Sequence, residues 1–383
     1  MEIFTSALSS LVQGFASLSW QSVIMILLGI LLLYLAVAKK IEPLLLVPIG
    51  FGILLGNLPL AGMSAQQEGG VIKTLYDSGI LTELFPVLLF IGLGAMIDFG
   101  PMLANPIVLI FGAAGQFGIF LTLLLALSLG FERQAAVSVA VIGACDGPTA
   151  IYVTSRFAPA LLPAVSIAAY SYMSLVPIIQ PPIMRALTTK KERAILMPSA
   201  EKKVSPRVKI LFPVVTGILT ILIAPQGAPL MGMLMLGNFM KESGVVGRLV
   251  DVSSGAIANI TTLFLGLCIG ASMLGGNFLQ GQTILIFALG LIAISLDTVA
   301  GVMLGKLMKV ITKGKINPLI GAAGTSAFPM SSRVVQKEGQ KANPRSFLLF
   351  HAIGANTGGQ IGSVMAAAVM LAIMAGMGLG PLT

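Results

Sequence analysis

Charge is what this sequence has least of. Among 383 residues, 23 are Lys or Arg and 14 are Asp or Glu, together 10%, where a soluble globular chain carries about 25%. That is too little to cover a wetted surface, so a large soluble catalytic module is excluded. Histidine occurs once, at His351, and cysteine twice, at Cys145 and Cys268 inside apolar segments. Neither a disulfide framework nor a zinc site can be assembled from that set. No GxxxxGK[ST] loop, HExxH or nucleophile elbow occurs, which removes ATP hydrolysis of the Walker kind and two common hydrolase chemistries. The first twenty residues hold Glu2 and neither Lys nor Arg, so they lack the basic leader of a cleavable signal peptide.

Apolar residues are abundant instead, at 56%, with a mean hydropathy of +0.98. Apolar runs near 20–38, 43–62, 84–100, 106–130, 161–184, 210–224, 228–240, 256–276, 281–305 and 346–380 predict an all-α polytopic membrane protein of about ten transmembrane helices. The net charge of +9 sits in short clusters between these runs, where it orients the chain and does not call for nucleic acid. Arg185, Lys190, Lys191, Arg193, Lys202, Lys203, Arg207 and Lys209, against Glu192 and Glu201, make 186–209 a basic cytoplasmic linker. Lys39-Lys40 and the cluster Lys306, Lys309, Lys313 and Lys315 are expected on the same side.

Two further segments, 135–156 and 317–333, are apolar at their ends and broken by Gly, Pro and polar residues in the middle. They match each other. Ile142-Gly143-Ala144-Cys145-Asp146-Gly147-Pro148-Thr149-Ala150, closing on Ser155-Arg156, aligns with Ile320-Gly321-Ala322-Ala323-Gly324-Thr325-Ser326-Ala327, closing on Ser332-Arg333. Leu89-Phe90-Ile91-Gly92-Leu93 repeats as Leu263-Phe264-Leu265-Gly266-Leu267, and Leu55-Gly56-Asn57 as Leu236-Gly237-Asn238. All three blocks recur in one order, about 180 residues further along. The basic clusters fit only if both broken segments leave the membrane on the side they enter, as re-entrant hairpins. Two inverted repeats result, 1–185 and 210–383, the plan of secondary transporters whose broken backbone meets at the midplane.

Asp146 lies at the break of the first hairpin, where an ionised carboxylate costs ~2.5 kcal/mol or more unless paired. No basic residue is near in sequence, so either a hard cation compensates it or burial keeps it protonated. In the second hairpin, Asn317, Thr325 and Ser326 offer neutral oxygens; Asn317-Pro318 is equally a helix cap followed by a first-turn proline. Asn356, Gln360 and Ser363 form one polar stripe of the last span, read either as site lining or as interhelical hydrogen bonding. Ser166, Tyr170, Ser171, Tyr172 and Ser174 crowd the span that would be its mate; a tyrosine hydroxyl there can relay a proton. Arg333 is either an interfacial anchor or a fork for an anionic substrate. Asp297 is a lone acid in an apolar span and a weaker candidate than Asp146. His351, in the first turns of the last span, reads as interfacial.

Gly143-Ala144-Cys145-Asp146-Gly147-Pro148-Thr149 resembles the membrane beta subunit of the sodium-pumping, biotin-dependent decarboxylases that act on oxaloacetate, methylmalonyl-CoA and glutaconyl-CoA. The similarity continues through Asn317-Pro318-Leu319-Ile320-Gly321-Ala322-Ala323-Gly324, Ser326, Pro329-Met330, Arg333, His351-Ala352, Asn356 and Ile361-Gly362-Ser363, and covers most of the chain. Cys145 departs from it, standing where a small Gly or Ala is expected. The resemblance implies an elevator-like subunit of the bacterial cytoplasmic membrane that decarboxylates carboxybiotin and exports sodium while a proton is taken up. By residue match it implies Asp146, Asn356, Ser326, Asn317 and Ser363 at the sodium site, Tyr172 as a proton-linked hydroxyl, and Arg333, helped by Asn317, as the contact for carboxylated biotin; Tyr172, Arg333 and Asp146 are then the catalytic set. It also implies a homotrimer of this chain with a carboxyltransferase, a biotin carrier and a small membrane subunit. No AMKM attachment sequence occurs; Leu307-Met308-Lys309-Val310 comes nearest, so the biotin is expected on another chain. The residues alone lead only as far as a cation-coupled transporter, and a carrier of a small anion without decarboxylase activity is the alternative. The topology is open to labelling in a background lacking Cys145 and Cys268: a cysteine in the 190–203 loop is expected to react from the cytoplasm and one at Glu132 from outside, and reaction of both from one face rejects the inverted arrangement.

Overall fold

The computed structural model describes residues 13–197 and 204–379; Glu201, Lys202 and Lys203 of the linker lie outside them. All regular structure among the described residues is helical. Seven helical segments are long and apolar enough to cross a membrane: 20–38, 106–128, 159–187, 206–223, 247–272, 281–311 and 349–376. An eighth is obtained if Val71–Leu81 and Leu84–Met96, bent by 60° at their junction, count as one. The runs expected at 43–62, 84–100 and 228–240 are the helices Pro43–Asn57, Leu84–Met96 and Ala228–Ser243, of 15, 13 and 16 residues. A 15-residue helix is about 22 Å long, short of the ~30 Å hydrocarbon core.

We number the principal helices α1 (Trp20–Ala38), α2 (Pro43–Asn57), α3 (Leu84–Met96), α4 (Leu109–Ala114), α5 (Phe117–Ser128), α6 (Arg133–Ala140), α7 (Gly147–Phe157), α8 (Leu162–Leu187), α9 (Pro206–Ile223), α10 (Ala228–Ser243), α11 (Ala258–Ser272), α12 (Gly281–Ile311), α13 (Met330–Ala342) and α14 (Leu349–Gly376). The short helices pack in pairs, α2 on α11 and α3 on α10. Glycine makes the contact possible: a Cβ at Gly52 would strike the Leu267 carbonyl, one at Gly94 the Leu234 carbonyl, and one at Gly237 the Ile91 carbonyl. Such close approach compensates for the missing hydrophobic drive between helices in lipid. Asn57 closes the first pair, its Nδ2 donating to Met273 O at 2.7 Å and Ile53 O at 3.0 Å while Oδ1 accepts the Gly275 N–H at 3.1 Å. Asn238 closes the second, donating to Ile97 O at 3.1 Å and Gly94 O at 3.4 Å. Each asparagine thus satisfies carbonyls left open where its neighbour helix ends, groups that lipid cannot solvate.

The remaining helices enclose the two broken segments. In the first, α6 tightens into a 3-10 turn at Val141–Ala144, breaks at Cys145-Asp146, and resumes as α7 with Pro148 in its first turn. Cys145 sits in the left-handed region with φ 53°, a conformation that favours glycine. In the second, a 3-10 turn at Pro318–Gly324 gives way to extended backbone and then to α13, which runs past the expected end at 333 to Ala342. The expected span 106–130 is itself broken, at Gly115-Gln116 between α4 and α5. These breaks touch. Gly115 abuts the Gly324 carbonyl, Gly324 abuts Phe111 O, Gly359 of α14 abuts Gly324 O, and Gly143 abuts Gly118 and Ala293. Replacing Asn57 or Asn238 with Ala is expected to lower stability by about 1–3 kcal/mol, the cost of stranding buried carbonyls, read as a lower midpoint of thermal unfolding in detergent.

Candidate functional site

Asp146 is 4% exposed and stands at the N-terminal boundary of α7 in extended conformation. Gly147 follows it because a larger residue would collide with the Tyr170 ring packed there. Oδ2 of Asp146 accepts from Thr149 Oγ1 at 2.5 Å, Gln360 Nε2 at 2.9 Å and Ser363 Oγ at 3.4 Å. All three donors are neutral, and no Lys or Arg pairs with the carboxylate among the described residues. One turn back along α14, the Gly359 carbonyl accepts Ser326 Oγ at 2.8 Å and Gln116 Nε2 at 3.2 Å. A further turn back, Asn356 Nδ2 donates to Thr325 O at 2.6 Å. The stripe Asn356, Gln360 and Ser363 therefore faces both broken segments at once, a surface rich in neutral oxygen next to one carboxylate. Hard monovalent and divalent cations take such oxygens. No group of three or more His, Cys, Asp or Glu capable of holding a metal is present among the described residues.

Of the expected site residues, Asp146, Ser363, Ser326 and Asn356 gather along α14, though only Ser363 bonds Asp146 itself. Asn317 stands apart. Its Oδ1 caps the Leu319 N–H at 3.1 Å and its Nδ2 holds the Arg193 and Ile195 carbonyls of the linker, each at 2.9 Å, which is the capping half of its two expected roles. Tyr172 faces α12: its hydroxyl donates to Phe287 O at 2.5 Å, and the ring lies edge-on to Phe287 at 6.3 Å. The tyrosine nearer the carboxylate is Tyr170, 3% exposed, whose hydroxyl has no hydrogen-bond partner among the described residues. Two residues in one turn of helix point to different neighbours, and alternating positions cannot be assigned to a face without knowing the helix's rotation. Gln116 and Thr149 complete the arrangement. Their signal was a polar side chain beside glycine at a break, Gln116 between Gly115 and Gly118, Thr149 after Gly147-Pro148.

Asp297, fully buried on α12, accepts the Gly118 N–H through Oδ1 at 2.5 Å. Gly118 opens α5 just past the Gly115-Gln116 break, so Asp297 satisfies an amide that this break exposes. His351 lies 3.5 Å from Asn105 through Nδ1 and is buried within the chain. Arg333, in the first turn of α13, is exposed, and its guanidinium makes no hydrogen bond or ion pair among the described residues. Its counterpart Arg156 is committed: it forms a bidentate pair with Glu83, with Nη2 at 2.8 Å from Oε2, and lies 4.5 Å over the Tyr152 ring.

On the linker side, Arg185 at the end of α8 grips Glu338 of α13 with two bonds of 2.7 Å, and Lys341 adds a third at 2.6 Å. These cations hold the Glu338 carboxyl down at about 2, Arg185 foremost, against a burial penalty acting the other way. Glu192 is likewise held at about 2, where burial opposes ionisation and the Lys309 ammonium at 2.8 Å and the Thr189 cap outweigh it.

A helical, multi-pass membrane protein with polar side chains gathered at broken segments defines a membrane transport component. Its particular family is set by comparison. Residues 21–374 match the family model described as the Na+-transporting oxaloacetate decarboxylase beta subunit. The chain is similar to methylmalonyl-CoA decarboxylase subunit beta of Propionigenium modestum, 49% identical over 94% of this chain and 96% of that one. It is also similar to glutaconyl-CoA decarboxylase subunit beta of Acidaminococcus fermentans, at 48% over 98% and 100%, and to oxaloacetate decarboxylase beta chain of Klebsiella pneumoniae, at 46% over 95% and 98%. The chain belongs to this family of sodium-transporting decarboxylase beta subunits, and is a membrane-bound decarboxylase component. Because the Glu338 pKa is depressed on folding, its pairing contributes stability above about pH 4.5 that is lost as pH falls from there toward 2. Glu338→Gln is expected to remove that dependence, so the gap in unfolding midpoint between wild type and variant should narrow from pH 6 to pH 3 and go on closing toward pH 2.

Proposed function

We propose that this chain decarboxylates carboxybiotin delivered on a separate carrier subunit and uses that reaction to export sodium. The N–carboxylate bond of carboxybiotin breaks, carbon dioxide leaves, and the ureido nitrogen takes up a proton, so the reaction consumes one. The observation that carries this reading is Asp146, a buried carboxylate met only by neutral donors at a helix break. Such a group favours a cation in the place where a basic side chain would otherwise be required. Asp146, Ser363, Ser326 and Asn356 are the sodium-site positions, with Asn317 fixing the linker to the start of the second broken segment. Arg333, exposed and unpaired among the described residues, offers its planar fork to the carboxylated biotin, and Tyr172 handles the proton once a conformational change frees its hydroxyl from Phe287.

The architecture we infer is two inverted repeats, ten spans and two re-entrant hairpins working as an elevator. The matching roles of Asn57 and Asn238, both third in the repeated Leu-Gly-Asn blocks and both closing a neighbouring helix, support the repeats. The short, glycine-packed pairs α2/α11 and α3/α10 would form the fixed frame, and the broken segments with α8, α12 and α14 the moving part. A homotrimer of this chain with a carboxyltransferase, a biotin carrier and a small membrane subunit completes the assembly. Moving one positive charge against 100 mV takes ~2.3 kcal/mol, so export has to be tied to loss of the carboxyl group. The test is sodium uptake into inverted vesicles containing the whole complex: avidin should abolish it, and Asp146→Asn should lower sodium-dependent decarboxylation on the order of 100-fold, the equivalent of ~2.5 kcal/mol or more. Uptake that ignores avidin identifies a carrier without decarboxylase activity, and normal turnover in the variant removes Asp146 from the site.

A further inference from the structure

Two buried amides at the tip of the second broken segment carry a further assignment. Gln116 is 4% exposed and Asn356 fully buried, yet neither Gln116 Oε1 nor Asn356 Oδ1 has a hydrogen-bond partner among the described residues. The nitrogens fix how both amides lie. Gln116 Nε2 donates to Gly112 O at 3.0 Å and Gly359 O at 3.2 Å, and Asn356 Nδ2 donates to Thr325 O at 2.6 Å. Turning either amide over would set oxygen against carbonyl oxygen, so each must present its acceptor the other way. A buried acceptor without a partner forfeits about 1–3 kcal/mol, and two at one junction call for an electropositive group.

The junction is shared by three elements. Gln116 comes from the break between α4 and α5, Asn356 from α14, and both nitrogens anchor on backbone that meets at Gly324, Thr325 and Gly359. Ser326 Oγ is tied to the same Gly359 carbonyl. Every side chain there is neutral, which suits a monovalent cation better than a divalent one, since the latter draws carboxylates.

We propose that Gln116 is a cation ligand, its Oε1 acting with Asn356 Oδ1 on a sodium ion held where the break of the 106–128 segment meets the tip of the second hairpin. This rests on the sodium-pump reading, and it adds to the site a residue from a span that supplies none of the others. A cation there would pin the broken span, the hairpin tip and α14 together, so occupancy would govern whether these pieces move as one.

The test uses the intact complex in detergent and measures thermal unfolding against sodium chloride, with choline chloride holding ionic strength constant. Gln116→Met removes both amide functions at similar size, whereas Gln116→Glu keeps the oxygen and loses the donors. The sodium concentration for half-maximal stabilisation should rise on the order of ten-fold or more in Gln116→Met, and stay at or below the wild-type value in Gln116→Glu. Equal values in Gln116→Met and wild type overturn the proposal. So does a Gln116→Glu variant as impaired as Gln116→Met, because the donors alone would then matter. If Gln116→Met does not assemble, Gln116→Glu decides by itself: sodium bound as tightly as in wild type or more so supports the ligand role, and weaker binding overturns it. A wild type with no sodium-specific stabilisation would instead overturn the sodium-pump reading, a result distinct from either variant's failure.

Discussion

Backbone amides and carbonyls freed by a helix break have no water to turn to inside a bilayer, and the structure is organised around meeting that demand. The broken segments leave open groups, and several of these find partners on another element. Gln116 donates to Gly112 and Gly359 carbonyls, Ser326 to Gly359, Asn356 to Thr325, Gln180 to Ala322 at 2.9 Å, and Asp297 accepts from Gly118. Satisfaction inside the protein is the condition for irregular backbone at that depth. The same condition brings the polar side chains of the site together, because they are the groups that answer the breaks.

Close packing makes those contacts reachable. Glycine at 115, 324 and 359 lets three backbones approach until carbonyls face Cα atoms, and short polar side chains then span the gaps. This is also what leaves room beside the satisfied atoms for acceptors that are not satisfied, Asn356 Oδ1 and Gln116 Oε1 among them. Stability and function draw on one set of residues here. The Asp146 carboxylate differs from Asp297 in this respect: three neutral side chains surround the first, whereas a main-chain amide takes one oxygen of the second. Two buried acids of the same type therefore meet different partners in the same core, Asp146 the polar side chains of α7 and α14 and Asp297 the Gly118 amide at the start of α5.

The basic linker side works by ordinary electrostatics. Glu338 and Glu192 are each enclosed by cations, and they fasten α13 to α8 and the linker turn to α12. Arg333 is left out of these pairs, on the same polar helix as Glu338. A fork that nothing among the described residues engages is open to an anion arriving from outside the chain, in contrast to Arg156, which Glu83 holds.

Composition and local spacing were enough to place this chain in a membrane, to find the breaks at Cys145-Asp146 and Gly324-Thr325, and to single out Asp146, because charge is so scarce that one acid beside Gly-Pro stands out. The repeated Leu-Gly-Asn blocks were visible too, as was the family resemblance. Which polar residues meet was decided by the tertiary structure. Asn317 turned to the linker and Tyr172 to Phe287, while Gln360 and Thr149 reached Asp146 and Gln116 reached Gly359. The reason is physical: apart from Thr149, these partners lie between 115 and 243 residues apart and are chosen by how glycine-lined helices rotate and press together, and a chain's local pattern sets which faces are polar but not which faces touch.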